Sequence, residues 1–206
     1  MMKNASHITL LVGTALVLSA CSGAKVAVPT EFPVPLVRGV PVQVGWHLDD
    51  ALTGYVYEET IEGAGEFLID LGPAQRPMFQ RLSEGLFAGH RFVDGVEGHT
   101  GLNGVLQPSI AELQFSTPKQ TRTEYYEVWI RYQFKLFNPD GTLRGEWPLM
   151  AYGKAHTQNY GVGAQAALQA AAVAACRDAI AYFSLHFHNV PVVKTWLAEQ
   201  NPGSPT

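Results

Sequence analysis

Cysteine is nearly absent: two residues in 206, too few for a disulfide scaffold. Charge is sparse too, at 16% of residues, with 14 Lys and Arg against 18 Asp and Glu for a net −4. A nucleic-acid binder would show a basic surplus or a Lys/Arg stripe, so the balance speaks against a nucleic-acid partner. A disordered chain would carry less hydrophobic content than 47% and more charge. Catalytic and metal signatures are missing as well. There is no H-E-x-x-H and no cysteine pair at zinc spacing. No G-x-S-x-G marks a serine nucleophile. Asp49-Asp50 and Glu58-Glu59 are sequence neighbours, which a strand would point to opposite faces, so neither makes a general acid–base dyad. Hydrolysis is therefore the weakest of the functional readings. The expected class is non-catalytic, without a metal or a dissociable cofactor.

What is present begins at the N-terminus. Lys3 is followed by the uncharged run Ile8–Ala20, 13 residues long. A membrane-spanning helix needs about 20. A basic start, a short apolar stretch and small residues at its end describe a secretory signal peptide over residues 1–20. Its last four positions, Leu18-Ser19-Ala20-Cys21, resemble the lipobox of bacterial lipoproteins. That resemblance implies cleavage before Cys21, a diacylglyceryl thioether on its sulfur and an acyl group on its new amine. Several acyl chains would hold the protein firmly where one would not. Ser22, where aspartate would signal inner-membrane retention, points by the same analogy to the periplasmic face of the outer membrane. Loss of Lys3 with the signal leaves 13 basic and 18 acidic residues, a net −5.

Residues 21–38 carry Pro29, Pro33 and Pro35 with little periodicity and read as a semi-stiff spacer. At about 3.1 Å per residue it would stand the domain several nanometres off the lipid. Phe32 and Leu36 could instead pack on the domain.

Residues 39–198 then read as one periplasmic α/β domain, with a disordered tail at 199–206. Val42, Val44, Trp46 and Leu48 alternate as in a strand. Strands are also expected at Tyr55–Ile61, Glu66–Leu71, near Arg91–Val93 and across Ile110–Phe115. Gly72-Pro73 opens a helix with proline near its first position, and Met78, Phe79, Leu82 and Leu86 form its buried stripe. The clearest pattern is Glu124–Phe137, where Tyr126, Val128, Ile130, Tyr132, Phe134 and Leu136 alternate with polar residues. Asn138-Pro139-Asp140-Gly141 supplies a turn, and Leu143–His156 returns antiparallel. An alanine-rich helix over Val162–Phe187 follows, with Leu168, Ala172, Cys176, Ala179, Phe183 and Phe187 on one side. Val192–Leu197 reads as a short docking segment. The expected fold is α+β: a two-layer sandwich in which a mixed or antiparallel sheet of four to six strands carries two helices on one face. In this order of elements behind a lipobox, the chain resembles the small α/β domains of outer-membrane assembly lipoproteins. These include the lipopolysaccharide-assembly lipoprotein and the ring-forming lipoproteins of polysaccharide and curli export. The resemblance implies an envelope compartment more than a particular task.

Three further features weigh on function. Gly161-Val162-Gly163-Ala164-Gln165-Ala166 matches the dinucleotide fingerprint but lacks the strand and acidic residue that should follow, so it reads as a glycine lead-in to a helix. Cys176 reads as a small buried hydrophobe. Tyr125, Trp129 and Phe137 lie on the polar side of the long strand, with Trp147 on its neighbour, and large aromatics among charges are what interface cores favour. The favoured reading is a lipid-anchored accessory or adaptor in envelope transport or assembly, contacting a protein partner or a second copy of itself. The alternative is a carrier or sensor that holds a small amphiphile between sheet and helices.

Overall fold

The computed structural model describes residues 23–161 and 163–200. The export signal, the lipobox with Cys21, and residues 201–206 lie outside the described residues. The architecture is mixed α+β. Its elements in chain order are β1 (Ala24–Ala27), β2 (Val40–His47), α1 (Asp50–Thr53), β3 (Val56–Ile61), β4 (Gly65–Asp70), α2 (Gly72–Leu86) and β5 (Phe87–Val93). There follow β6 (Gly104–Ser116), α3 (Pro118–Thr121), β7 (Tyr125–Phe137), β8 (Leu143–His156), α4 (Ala164–His186) and α5 (Pro191–Gln200).

The strands form two sheets where one was expected. One has three strands in the order β1-β4-β3, the other five in the order β5-β2-β6-β7-β8. In the larger sheet β2 runs parallel to both β5 and β6, while β6, β7 and β8 are antiparallel. The alternation in β7 is realised as read: Val128, Ile130, Tyr132, Phe134 and Leu136 are buried and Tyr126 half-buried. Each buried side chain of this size contributes about 1.5–3 kcal/mol by leaving water. A bulge at Ala111 in β6, between the Ile110–Tyr132 and Glu112–Arg131 pairs, keeps both strands' apolar residues in phase beyond it.

The stretch read as a spacer is largely part of the fold. Ala24–Ala27 pairs with β4, and Val26, Val28 and Phe32 are buried, whereas Leu36 is 99% exposed. Proline density hid a four-residue strand that alternates buried and exposed positions. At the other end Glu199 and Gln200 belong to α5, where they bond Arg144 at 2.6 Å and Asn103 at 2.8 Å. They are not part of a loose tail.

Helices α2 and α4 pack with the sheets into one apolar core. The expected pair of helices is joined by α5, whose Trp196 is fully buried and donates to the Asn103 carbonyl at 3.2 Å. Trp46 of β2 ties α2 down. Its ring stacks on Phe79 with centroids 4.7 Å apart. Its indole N–H donates to Ser83 Oγ at 2.6 Å, and that hydroxyl donates to the Phe79 carbonyl at 2.7 Å. Ser83→Ala would strand the buried indole N–H, a loss of about 1–3 kcal/mol. Urea unfolding should show a lower midpoint with an unchanged slope.

Candidate functional site

The face of the larger sheet turned away from the core is the best candidate surface. Hairpin register sets three rows across β6, β7 and β8: Glu112–Arg131–Met150, Gln114–Trp129–Tyr152 and Ser116–Glu127–Lys154. Arg131 Nη2 meets Glu112 Oε2 at 2.6 Å, and Gln114 donates to the other Glu112 oxygen. The Trp129 and Tyr152 rings lie 5.3 Å apart, tilted by 35°. The Tyr152 hydroxyl donates to Glu127, which also accepts from Ser116 at 3.2 Å. Between these rows lies a shallow hollow of about 250 Å³ lined by Glu112, Gln114, Trp129, Arg131 and Met150. Met150 is 55% exposed.

Of the four aromatics singled out in the sequence, the structure keeps three on this side and moves one. Trp147 pairs with Phe134, not with a polar-face residue, and is buried against Phe134 and Phe187 at 5.6 and 6.2 Å. It is core. Tyr125 stands four residues from Trp129, about 13 Å along the strand, and Phe137 eight residues, about 26 Å, so these do not form one patch. Tyr125 instead packs edge-on to His156 at 4.9 Å, with the Lys154 ammonium 5.1 Å from its ring. The residues that do gather at Trp129 are Tyr152 and Met150. Counting back from the Asn138–Gly141 turn would have missed them, because an irregularity at Arg144, between the Phe137–Leu143 and Leu136–Gly145 pairs, shifts the register by one residue.

Chemically the hollow sets an apolar flank beside an ion pair. Its carboxylate and guanidinium neutralise one another, and no nucleophile sits beside a free base there. Histidine, cysteine and carboxylate side chains form no metal-binding cluster of three among the described residues. Gly161 and Gly163 take φ values of 74° and 122°, the role expected of the glycine lead-in to α4. Cys176 is completely buried, and that burial pushes its thiol up to about 12, far from a reactive thiolate.

The core between α2, α4 and β7 is filled, whereas an open cleft of about 260 Å³ lies between β8 and the end of α4, lined by Trp147, Pro148, Leu149, Tyr182 and Phe187. Between Met78, Phe79, Tyr132, Phe134 and Phe183 the open volume is about 10 Å³, at most one water's worth. Tyr132 is fixed there by its hydroxyl, which donates to Gln75 Oε1 at 3.1 Å, while Gln75 Nε2 donates to the Leu71 carbonyl at 3.1 Å.

No protein-family model matches the chain, and no curated protein matches it. Among solved structures, it is similar to a protein assigned as a lipoprotein from Caulobacter crescentus CB15. Identity is 17%, with 48% of this chain and 72% of that chain covered, at a TM-score of 0.35. A superposition that loose leaves function to be argued from the residues themselves. No described helix is long and apolar enough to cross a membrane.

Partial burial, then the hydrogen bond to Glu127, pushes the Tyr152 phenol up to about 12. The Tyr57 phenol rises to about 12 by burial and its 2.8 Å bond to Glu59. Folded-state values above unfolded ones mean that these groups and Cys176 contribute stability fully below about pH 9, which is lost as pH rises through about 12. Thermal unfolding should therefore move to lower temperature across that alkaline window. Glu127→Gln should bring part of the tyrosinate absorbance to lower pH, while Tyr57 continues to titrate late.

Proposed function

We propose that this chain is a lipid-anchored, non-catalytic accessory protein of the cell envelope, held to the periplasmic face of the outer membrane through acyl chains on Cys21. Its open sheet face receives a protein partner from an envelope transport or assembly machine. The observation that carries the binding role is the hollow between Trp129, Met150 and the Arg131–Glu112 pair. Tryptophan, tyrosine and arginine are the residues that dominate interface energetics when buried by a partner. Around Trp129 they are arranged on a rigid antiparallel sheet, so docking would require little ordering of the protein itself. The anchoring role rests on Leu18-Ser19-Ala20-Cys21, and no cofactor beyond the covalent lipid is needed.

Both parts have a direct test. Cys21→Ser should abolish labelling by a fatty-acid probe and release the protein from the membrane fraction. Retention of label would overturn the anchor. Trp129→Ala in the lipidated protein should leave the thermal transition nearly unchanged and remove a crosslinked envelope partner seen with the wild type. Crosslinks unaffected by Trp129→Ala would move the interface elsewhere.

A further inference from the structure

If Cys21 carries lipid, the way the domain sits on the membrane follows from where the fold begins. Only two residues, Ser22 and Gly23, separate Cys21 from Ala24, the first residue of β1, which makes three Cα-to-Cα steps. At about 3.5 Å per residue that tether spans at most about 10 Å. Strand β1 cannot peel away to lengthen it without loss of core. Ala24, Val26 and Val28 are buried, all four residues pair with β4, and the Gln169 amide donates to the Ala27 carbonyl at 2.7 Å.

The start of β1 lies at one pole of the molecule, and other elements end at that pole. Ala24 pairs with Phe67, and Phe67 packs on Phe115 at 5.0 Å, near the end of β6. Helix α3 follows, and its Lys119 ammonium donates to the Gly63 carbonyl at 2.9 Å in the β3–β4 turn. Tyr125 at the start of β7 pairs with His156 at the end of β8. Helix α4 runs antiparallel to β8, since Tyr152 N bonds Asp178 and Trp147 packs on Phe187, so its N-terminus is at this pole too. Leu185, 57% exposed, is 21 residues along α4, about 32 Å away.

A bilayer's headgroup layer is about 5–8 Å thick on each side, and the tether is about as long as that layer is deep. We infer that the pole formed by the β3–β4 turn, Lys25 and α3 is a docking surface for phospholipid headgroups, pressed against the bilayer by the short Cys21 tether. Lys25 and Lys119 are exposed there beside Glu66 and Glu62. The mixed charge suits zwitterionic headgroups, without the basic surplus of a surface that seeks anionic lipid. This inference rests on the lipidation of Cys21 stated under the proposed function.

The test uses the full lipidated chain in vesicles of phosphatidylethanolamine and phosphatidylglycerol that contain a headgroup spin label. A fluorophore is placed on Lys119→Cys or, separately, on Leu185→Cys, with Cys176 protected by burial. Lipidation is first verified by mass spectrometry and vesicle flotation. Strong quenching at position 119 and little at 185 is expected. Inserting about twenty Gly/Ser residues after Ser22 should reduce quenching at 119 without affecting flotation. Equal quenching at both sites, stronger quenching at 185, or no effect of the insertion would overturn the docked pole while leaving the anchor intact. A chain that carries no lipid would overturn both.

Discussion

The backbone of α4 rests directly on the backbone of β8, and the rest of the architecture follows from that contact. A Cβ on Gly153 would lie 2.2 Å from both the Ala171 carbonyl oxygen and the Ala175 nitrogen. The helix meets the strand with Ala167, Ala171 and Ala175, all fully buried, because larger side chains would hold the two apart. Such proximity brings polar side chains of α4 within reach of strand edges. Asp178 accepts from the Tyr152 N–H at 2.9 Å on the edge strand of the larger sheet, and Gln169 donates to Ala27 on the edge of the smaller one. One helix thus covers an edge of each sheet, where unpaired backbone would otherwise invite another chain.

Legibility in the sequence followed the length of each element. The β7–β8 hairpin, α2 and α4 were readable because their periodicities persist over 13 or more residues. The four-residue β1 was not, since three nearby prolines outweigh two alternations and its partner β4 lies some forty residues away. The division into two sheets was equally hidden: parallel pairing of β2 with β5 and β6 depends on contacts that no local pattern encodes. At the candidate site Trp129 was recognisable as an aromatic among charges. Its companions Tyr152 and Met150 required register, and Trp147 was misplaced because proximity in sequence was weighed without parity along the strand.

The exposed side of the larger sheet is polar, yet its charges are already paired. Glu112 and Arg131 satisfy each other, as do Tyr152 and Glu127, so a partner gains little from isolated charges, and exposed pairs of this kind are worth at most about 1 kcal/mol. What remains unsatisfied is apolar: the flank of Trp129 and the exposed Met150. A partner of the kind proposed would therefore have to bring a hydrophobic group of matching shape and tolerate a fixed ion pair beside it. That requirement rejects highly charged surfaces as effectively as it accepts an apolar one.

Anchor and face are related by the direction of β7. Its first residue, Tyr125, pairs with His156 at the pole where β1 begins, and its last, Phe137, meets Leu143 at the opposite end. Twelve steps at about 3.3 Å make that strand roughly 40 Å long, and Trp129 stands only four steps, about 13 Å, from its start. In the proposed docking, with the pole where β1 begins on the bilayer, the hollow would face sideways just above the headgroups. A partner reaching it must then approach along the membrane surface, so that embedded or membrane-apposed proteins are favoured over freely diffusing ones. A short lipid tether of the kind proposed would thereby act on partner choice as well as on location, through the effective concentration of surfaces held in one plane.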